Sequence, residues 1–319
     1  SYMKESVKQM PLFEAVPSII TGHQGNVCWR VEQFSAWGLF CEAARQKLEN
    51  KFLPITEITS DFDRRSVSYQ LSKEDCLHRW LKYKEGFSEE LVERLLDEMA
   101  IQAGETVLDP FLGSGTTCLV AKIKGFNSIG FDIMPMSKVS IRAKSNISAY
   151  NIDELHKFVK FLLSIERPES YKVRAKSIKI TETAYPEETE LDIPFYSESI
   201  ENSSFSTATK GLGHLCLVNC LERLSYTAKD GQYLRWDERS RKVREANNAR
   251  IKKGMQPFKV ILNKGKLPTV KAAICSEIYR AIDDIIYLRK MNSLSSRDAW
   301  INFKQCSALI ELPKLEDCS

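Results

Sequence analysis

Residues Val107–Thr117 read V-L-D-P-F-L-G-S-G-T-T, and this stretch decides the fold. Its apolar start, which ends on Asp109, is typical of a buried strand, and Gly113 and Gly115 indicate a tight turn. The residues from Thr116 onward predict the start of a helix. Doubly wound α/β sheets bind small ligands where a parallel strand gives way to a helix. The stretch therefore predicts a ligand site at the carboxyl edge of a parallel sheet.

The neighbouring segments predict a β-α-β-α succession around this stretch. Ser88 is a good N-cap for a helix with a single apolar stripe, and a strand over Thr106–Asp109 follows that helix. The pattern then predicts a helix over Thr116–Lys124, a strand over Asn127–Asp132 and a helix over Met136–Tyr150. Strands that alternate with helices are typical of a parallel sheet. The expected fold class is therefore α/β and Rossmann-like.

The string Asp109–Thr117, with Asp132 after it, resembles the first two cofactor motifs of the DNA amino-methyltransferases. These enzymes transfer a methyl group from S-adenosyl-L-methionine to an exocyclic base nitrogen. The segment Tyr83–Ser88 resembles the family motif that closes over the methionine end of the cofactor. The resemblance covers residues 65–150 and implies a class I methyltransferase sheet. The cofactor-binding residues it implies are Phe87, Ser88, Asp109, Pro110, Phe111, Gly113, Ser114, Gly115, Thr116, Thr117, Asp132 and Ile133.

The chemistry of S-adenosyl-L-methionine explains why these residue types suit it. Gly113 and Gly115 let the backbone approach a ligand and adopt unusual φ angles. The free N–H groups where the next helix begins, near Ser114 to Thr117, suit a carboxylate. Asp109 can attract the ammonium, and Asp132, 23 residues further on, can accept both ribose hydroxyls.

Other interpretations of the same residues fit less completely. A G-x-G turn between a strand and a helix is often only structural, and Phe87 and Ser88 also suit a core aromatic and a helix cap. A dinucleotide fingerprint requires G-x-G-x-x-G, whereas the pattern here is G-x-G-T-T. A P-loop requires a Gly-Lys-Ser/Thr ending, which this turn lacks.

The resemblance stops at the methyl-accepting chemistry. The catalytic loop of the family contains two consecutive prolines, and this chain has no Pro-Pro. The nearest match, Asp192-Ile193-Pro194-Phe195-Tyr196, lies in Arg167–Ser206, for which the composition predicts an irregular stretch. Trp300–Gln305 is predicted to lead into a strand that returns to the sheet, and Phe303–Pro313 resembles that strand and the stretch that precedes the catalytic loop. We therefore expect an incomplete sheet, no catalytic residue in this chain, and a second polypeptide, or the remainder of a cleaved one, that supplies the missing strands and loop.

A basic segment indicates contact with nucleic acid. Residues 229–271 hold thirteen Lys and Arg against four Asp and Glu, whereas the formal net charge of the whole chain is only +4. The cations alternate with Tyr233 and Trp236, and the segment lies where the resembled family inserts its target-recognition elements. A solvated helix face with a disordered loop around 247–256 is the alternative. The predicted DNA-contacting residues are Arg235, Arg239, Arg241, Lys242, Arg244, Arg250, Lys252 and Lys253.

The composition argues against several other classes of protein. Hydrophobic residues make up 43% of the chain, and it contains neither an apolar run of roughly 18 residues nor a signal-peptide pattern. Nine cysteines without a C-x-x-C indicate no disulfide framework, so we expect a reducing, cytoplasmic location. Cys216 and Cys220 lie one helical turn apart near His214, but buried thiols are favoured over a metal site.

The predicted organisation has four parts: a helix-rich extension over 1–60, a cofactor-binding α/β unit over 61–165, a mainly helical, basic target-recognition region over 166–298, and a returning strand over 299–319. The predicted function is that of an S-adenosyl-L-methionine-dependent methyltransferase of double-stranded DNA, acting on adenine N6 or cytosine N4 and inactive as this chain alone. Two alternatives remain at this stage. One is an RNA guanine-amino methyltransferase, and the other is a non-catalytic nucleic-acid-binding subunit with a vestigial cofactor pocket.

Overall fold

A computed structural model describes residues 46–48, 50–55, 65–102, 104–230, 233–260, 262–291 and 299–315. The chain divides into two compact units, residues 1–61 and residues 62–319. In the first unit, the described residues are helical up to Phe52 and then form a 3₁₀ turn over Leu53–Ile55. Most of the predicted extension over 1–60 lies outside the described residues.

The second unit begins with 3₁₀ turns at Leu71–Lys73 and His78–Trp80 and then alternates helices with strands. The elements in chain order are α1 (Glu89–Glu98), β1 (Thr106–Asp109), α2 (Thr116–Lys124), β2 (Asn127–Asp132), α3 (Pro135–Lys144), α4 (Ile152–Ser164), α5 (Glu187–Glu201), α6 (Thr207–Leu224), β3 (Thr227–Asp230), β4 (Tyr233–Trp236), α7 (Arg241–Lys252), α8 (Val270–Lys290), β5 (Ile301–Gln305) and α9 (Ala308–Glu311).

A three-stranded parallel sheet of order β1-β2-β5 positions the candidate site. Asp109 at the end of β1 pairs with Gly130, and Asp132 at the end of β2 pairs with Gln305 of β5. The strands therefore end at one carboxyl edge, and the parallel α/β architecture agrees with the predicted fold class. Strand β5 lies in the segment that was expected to return to the sheet.

Local sequence explains where the elements around the sheet begin and end. Ser88 caps α1 by accepting a hydrogen bond from the N–H of Leu91 at 3.2 Å, and two glutamates in the first turn favour the helix dipole. Gly115 precedes α2 and Gly125 follows it, both in the left-handed conformation that glycine tolerates best. The boundaries of β1, α2 and β2 are those predicted from the sequence.

Two predicted segments differ from the structure. The helix predicted over Met136–Tyr150 ends at Lys144, and a separate 3₁₀ turn follows at Ile147–Ala149. The stretch predicted to be irregular contains α5, with Pro194 inside it. Three glutamates in the first turn of α5 favour the helix dipole, and apolar side chains of α5 lie in the main core. Tertiary burial thus outweighs the composition that suggested a loop.

Helices α4, α6 and α8 form the main apolar core together with residues just upstream of α1. Asp284 of α8 is buried there and accepts hydrogen bonds from the indole N–H of Trp80 at 2.8 Å and the backbone N–H of Leu77 at 3.2 Å. The guanidinium of Arg79 donates two more. The inserted helices are therefore tied to the chain that leads into the cofactor motifs. None of the helices in the described part of the chain is long and apolar enough to cross a membrane.

Candidate cofactor site and nucleic-acid interface

The turn between β1 and α2 has a backbone that requires glycine at two positions. Gly113 has a φ of +55° and Gly115 a φ of +96°. A Cβ atom added to Gly113 would lie 2.7 Å from Cε1 of Tyr83, and one added to Gly115 would lie 2.8 Å from Cδ1 of Ile141. The positive φ angles and the close neighbouring atoms therefore both exclude a side chain at these two positions, as the sequence pattern predicts.

The two predicted acidic residues are fixed by backbone N–H groups at the carboxyl edge. Asp132 accepts hydrogen bonds from the N–H of Gly113 at 2.7 Å and from the N–H of Met134 at 2.8 Å, one through each oxygen. Asp109 accepts one from the N–H of Phe111 at 2.9 Å. A carboxylate can accept about four hydrogen bonds. Asp132 is therefore held rigidly and keeps capacity for two hydroxyl groups of a ligand.

The rest of the turn offers apolar surface and backbone donors. The side chains of Phe111 and Ile133 are 80% and 69% exposed. Pro110 and Thr117 are partly buried. The hydroxyls of Ser114 and Thr116 lie 3.3 Å apart and are buried against each other. The first hydrogen bond into α2 runs from the N–H of Leu119 to the carbonyl of Gly115, so the N–H groups of residues 116–118 precede the helical ladder.

The upstream segment, predicted to close over the methionine end of the cofactor, makes structural contacts of its own. The hydroxyl of Ser88 is fully buried and donates to the carbonyl of Ser66 at 2.7 Å while capping α1. Phe87 packs against the apolar contact between α1 and α2. The geometry of these two residues supports the structural interpretation, a cap and a core aromatic. Tyr83 lies over Gly113. Its position within the same motif is the only sequence signal that could have pointed to this contact.

A second residue that the sequence analysis missed lies beneath the turn. Lys144 at the end of α3 is completely buried, and its Nζ atom lies 3.3 Å from the carbonyl oxygen of Ser114. The hydroxyl of Ser140, one turn earlier on α3, donates to the same oxygen at 2.7 Å. Burial lowers the pKa of Lys144 from 10.5 to about 7. Lysine is common in amphipathic helices, so nothing in the sequence indicates that this one is buried beneath the turn.

These residues fit the three ends of S-adenosyl-L-methionine. Backbone donors at the start of α2 suit its carboxylate, the spare acceptor capacity of Asp132 suits the ribose hydroxyls, and the exposed Phe111 and Ile133 suit a flat adenine ring. The left-handed glycines leave the approach to the backbone free of side chains. The donor set is thus compatible with the cofactor that the motif implies.

The basic segment forms a hairpin and a helix rather than a loop. Strands β3 and β4 pair antiparallel, and α7 occupies most of the stretch 247–256 that the alternative interpretation left disordered. Arg239 donates to both oxygens of the buried Asp237 at 2.8 Å, and its guanidinium lies 5.3 Å from the ring centre of Tyr226. This pairing holds the pKa of Asp237 well below its usual range. Arg239 is therefore fixed in place.

Cations gather where α7 begins, against the usual preference of a helix. Its first turn contains Arg241, Lys242 and Arg244 and no acidic residue, although the helix dipole is already positive there. Arg239, Arg241 and Arg244 line one cleft of about 620 Å³, together with Arg174, Glu182, Glu187 and Glu190. The excess of positive charge therefore lies in the first turn of α7, where it suits a polyanion. Lys242 lies over the ring of Trp236 at 4.6 Å, Arg250 lies over the ring of Phe258 at 4.2 Å, and Arg235, Lys252 and Lys253 are exposed.

Within the described residues, no group of three or more His, Cys, Asp or Glu side chains is arranged to hold a metal ion. Cys216 and Cys220 are buried, and burial is the main cause that raises the pKa of Cys220 to about 12. His214 lies 3.1 Å from the carboxylate of Glu201. These side chains are thus accounted for by burial and by a hydrogen-bond contact.

The chain is similar to known DNA methylases and type II methyltransferases. A DNA methylase family model matches residues 29–142, which include the glycine turn and Asp132. The Type II methyltransferase M.BsoBI of Geobacillus stearothermophilus is 44% identical over 290 residues, 91% of this chain and 55% of the relative. M.AvaI of Nostoc sp. is 30% identical over 275 residues, 84% of this chain and 54% of the relative. M.MjaII of Methanocaldococcus jannaschii is 37% identical over 82 residues, which are 26% of this chain and 15% of the relative.

The parallel sheet and its glycine turn define an α/β protein of the class I methyltransferase type. Within that class, the chain belongs to the DNA amino-methyltransferase family. It spans about half the length of the type II methyltransferases that it matches across most of its own length.

Proposed function

We propose that this chain is the cofactor-binding and DNA-contacting portion of an S-adenosyl-L-methionine-dependent DNA methyltransferase that acts on adenine N6 or cytosine N4. Residues 61–165 and 299–319 bind the cofactor, and residues 166–298 contact double-stranded DNA. The observation that carries the proposal is the bond from the N–H of Gly113 to Asp132, because it joins the two motifs expected to hold one ligand.

The bound cofactor would supply an activated methyl group, and the chain's own residues would orient it. Asp132 would accept the ribose hydroxyls, and Asp109 would attract the ammonium of the methionine end. The donors at the start of α2 would bind the carboxylate, and Phe111 would pack on the adenine. Each of these contacts positions the cofactor at the open carboxyl edge of the sheet.

The methyl-accepting step needs groups beyond these. The exocyclic amine of a flipped base requires an acceptor for its proton and an aromatic ring to stack on. The sequence contains no Pro-Pro loop, and the nearest match, residues 192–196, lies within helix α5. We propose that polypeptide outside these 319 residues supplies the catalytic loop and further strands. Among the described residues β1 pairs only with β2, so its outer edge is where such a strand would add.

Isothermal titration calorimetry with S-adenosylhomocysteine tests the cofactor site. The wild-type chain should bind it, and Asp132→Ala should weaken binding by at least about tenfold, because a half-buried carboxylate that the backbone fixes in place is lost. Asp153→Ala is the matched control, since Asp153 is an exposed aspartate on α4. A wild-type chain that binds no ligand would instead favour the non-catalytic subunit with a vestigial pocket.

Two further measurements test the nucleic-acid assignment. Fluorescence anisotropy should show tighter binding to duplex DNA than to transfer RNA at equal salt, and the reverse order would favour an RNA methyltransferase. A radiolabelled methyl-transfer assay with duplex DNA should show no activity for the purified chain alone. Activity in that assay would refute the proposal that the catalytic loop comes from elsewhere.

A further inference from the structure

Lys144 lies beneath the glycine turn, and no acidic residue in the described part of the chain pairs with it. The side chain is completely buried, and its only hydrogen bond given by the structure is the 3.3 Å contact with the carbonyl of Ser114. Burial alone accounts for its lowered pKa, so no carboxylate offsets the loss of hydration. Burying an ammonium without a counter-charge destabilises a fold. An apolar side chain of similar length would stabilise the same site better.

The contact of Lys144 falls on the peptide that shapes the turn. Ser140 and Lys144 lie one turn apart on α3 and both donate to the Ser114 carbonyl. The N–H of Gly115, on the other side of the same peptide, donates to the carbonyl of Leu112 at 3.0 Å. This peptide is thus fixed at both ends. Its orientation sets the left-handed Gly115 and the direction in which the first N–H groups of α2 point.

We infer that Lys144 is a positioning residue for the carboxylate end of the cofactor. It holds the Ser114 peptide in place and puts positive charge beneath the start of α2. The inference rests on the proposed function. A ligand carboxylate at the helix start would stabilise the ammonium form, so binding would be accompanied by proton uptake at Lys144. The missing counter-charge would then be supplied by the ligand.

Other titratable groups lie on the elements packed against α3. None of the groups on the elements packed against α3 is a cause of the shifted pKa of Lys144. These groups include His214, Cys216 and Cys220 on α6, Lys304 on β5 and Asp132 at the end of β2.

Three variants separate the hydrogen bond from the charge. Lys144→Met removes both, Lys144→Gln keeps a neutral donor, and Ser140→Ala removes the other donor to the same carbonyl without changing the charge. We expect calorimetry with S-adenosylhomocysteine to show binding about tenfold weaker for Lys144→Met and an intermediate loss for Lys144→Gln. Lys144→Met should melt at the same temperature as the wild type or higher, which excludes a folding defect.

Proton linkage distinguishes this role from a merely structural one. Titrations at pH 8 in two buffers of different ionisation enthalpy should show proton uptake by the wild type and by Ser140→Ala, but not by Lys144→Met or Lys144→Gln. Equal affinity of Lys144→Met and wild type, or equal proton uptake, would overturn the inference while leaving the cofactor site in place. A wild type that does not bind would overturn the proposed function itself.

Discussion

Replacing Gly113 with alanine should destabilise the protein more than the same change at a glycine of equal conformation. Gly113 and Gly265 have nearly identical φ angles, +55° and +57°. A Cβ on Gly265 meets nothing within 4 Å, whereas a Cβ on Gly113 comes within 2.7 Å of the ring of Tyr83. The pair therefore separates backbone strain from the collision with the ring.

The expected magnitudes follow from these two terms. Gly265→Ala should lower the free energy of unfolding by about 1–2 kcal/mol, the cost of the left-handed conformation for an L residue. Gly113→Ala should lose that amount and a further 1–3 kcal/mol, about 2–5 kcal/mol in total, because the tyrosine ring must move. The displaced turn should also weaken S-adenosylhomocysteine binding, since the N–H of Gly113 holds Asp132.

Urea unfolding followed by tryptophan fluorescence measures both variants, and a double-mutant cycle with Tyr83→Ala isolates the ring. In the Tyr83→Ala background, Gly113→Ala should cost only the backbone term, the same as Gly265→Ala. Equal losses for Gly113→Ala and Gly265→Ala in the wild-type background would refute the close approach of Tyr83 to the turn. An unchanged cost of Gly113→Ala after removal of the ring would refute it as well.

Three further outcomes are expected. Asp284→Ala should lower the free energy of unfolding in urea by about 3–5 kcal/mol, because Arg79 and the indole of Trp80 lose a buried acceptor, while the exposed Asp283→Ala should change it by less than about 0.5 kcal/mol. Arg244→Ala should reduce the slope of log affinity for duplex DNA against log salt by about 0.9 in anisotropy titrations, and the exposed Lys157→Ala on α4 should leave it unchanged. As pH rises from about 7 towards 10.5, the wild type should gain stability relative to Lys144→Met, because the unfolded lysine retains a proton that the folded one has released. A pH-independent difference between those two proteins would contradict the buried lysine.

The sequence predicts the core of this fold because local signals and burial agree there. The string from Val107 to Thr117 combines an apolar strand, obligatory left-handed glycines and a helix start, so the end of β1 and the start of α2 follow from it. Helix α5 could not be predicted, because Pro194 and the polar residues before it favour a loop locally. Apolar side chains of α5, which lie in a core built by distant helices, decide its conformation.

In the proposed cofactor site, Gly113, Gly115 and Asp132 could be picked out from the sequence because each belongs to a motif whose residue types suit one part of the ligand. Tyr83 lies over Gly113, and Lys144 donates a hydrogen bond to the carbonyl of Ser114. These two contacts depend on tertiary packing, which no local sequence pattern encodes.

The segment around Tyr83 also joins the two candidate sites. Lys84 donates to the carbonyl of Lys229 on β3 at 2.6 Å and pairs with Glu222 of α6 at 2.8 Å, and Glu85 pairs with Lys229. A single short segment thus contacts the glycine turn on one side and the basic hairpin on the other. Because these contacts share one backbone, a change in the conformation of residues 83–86 necessarily alters the surroundings of both the cofactor turn and the hairpin.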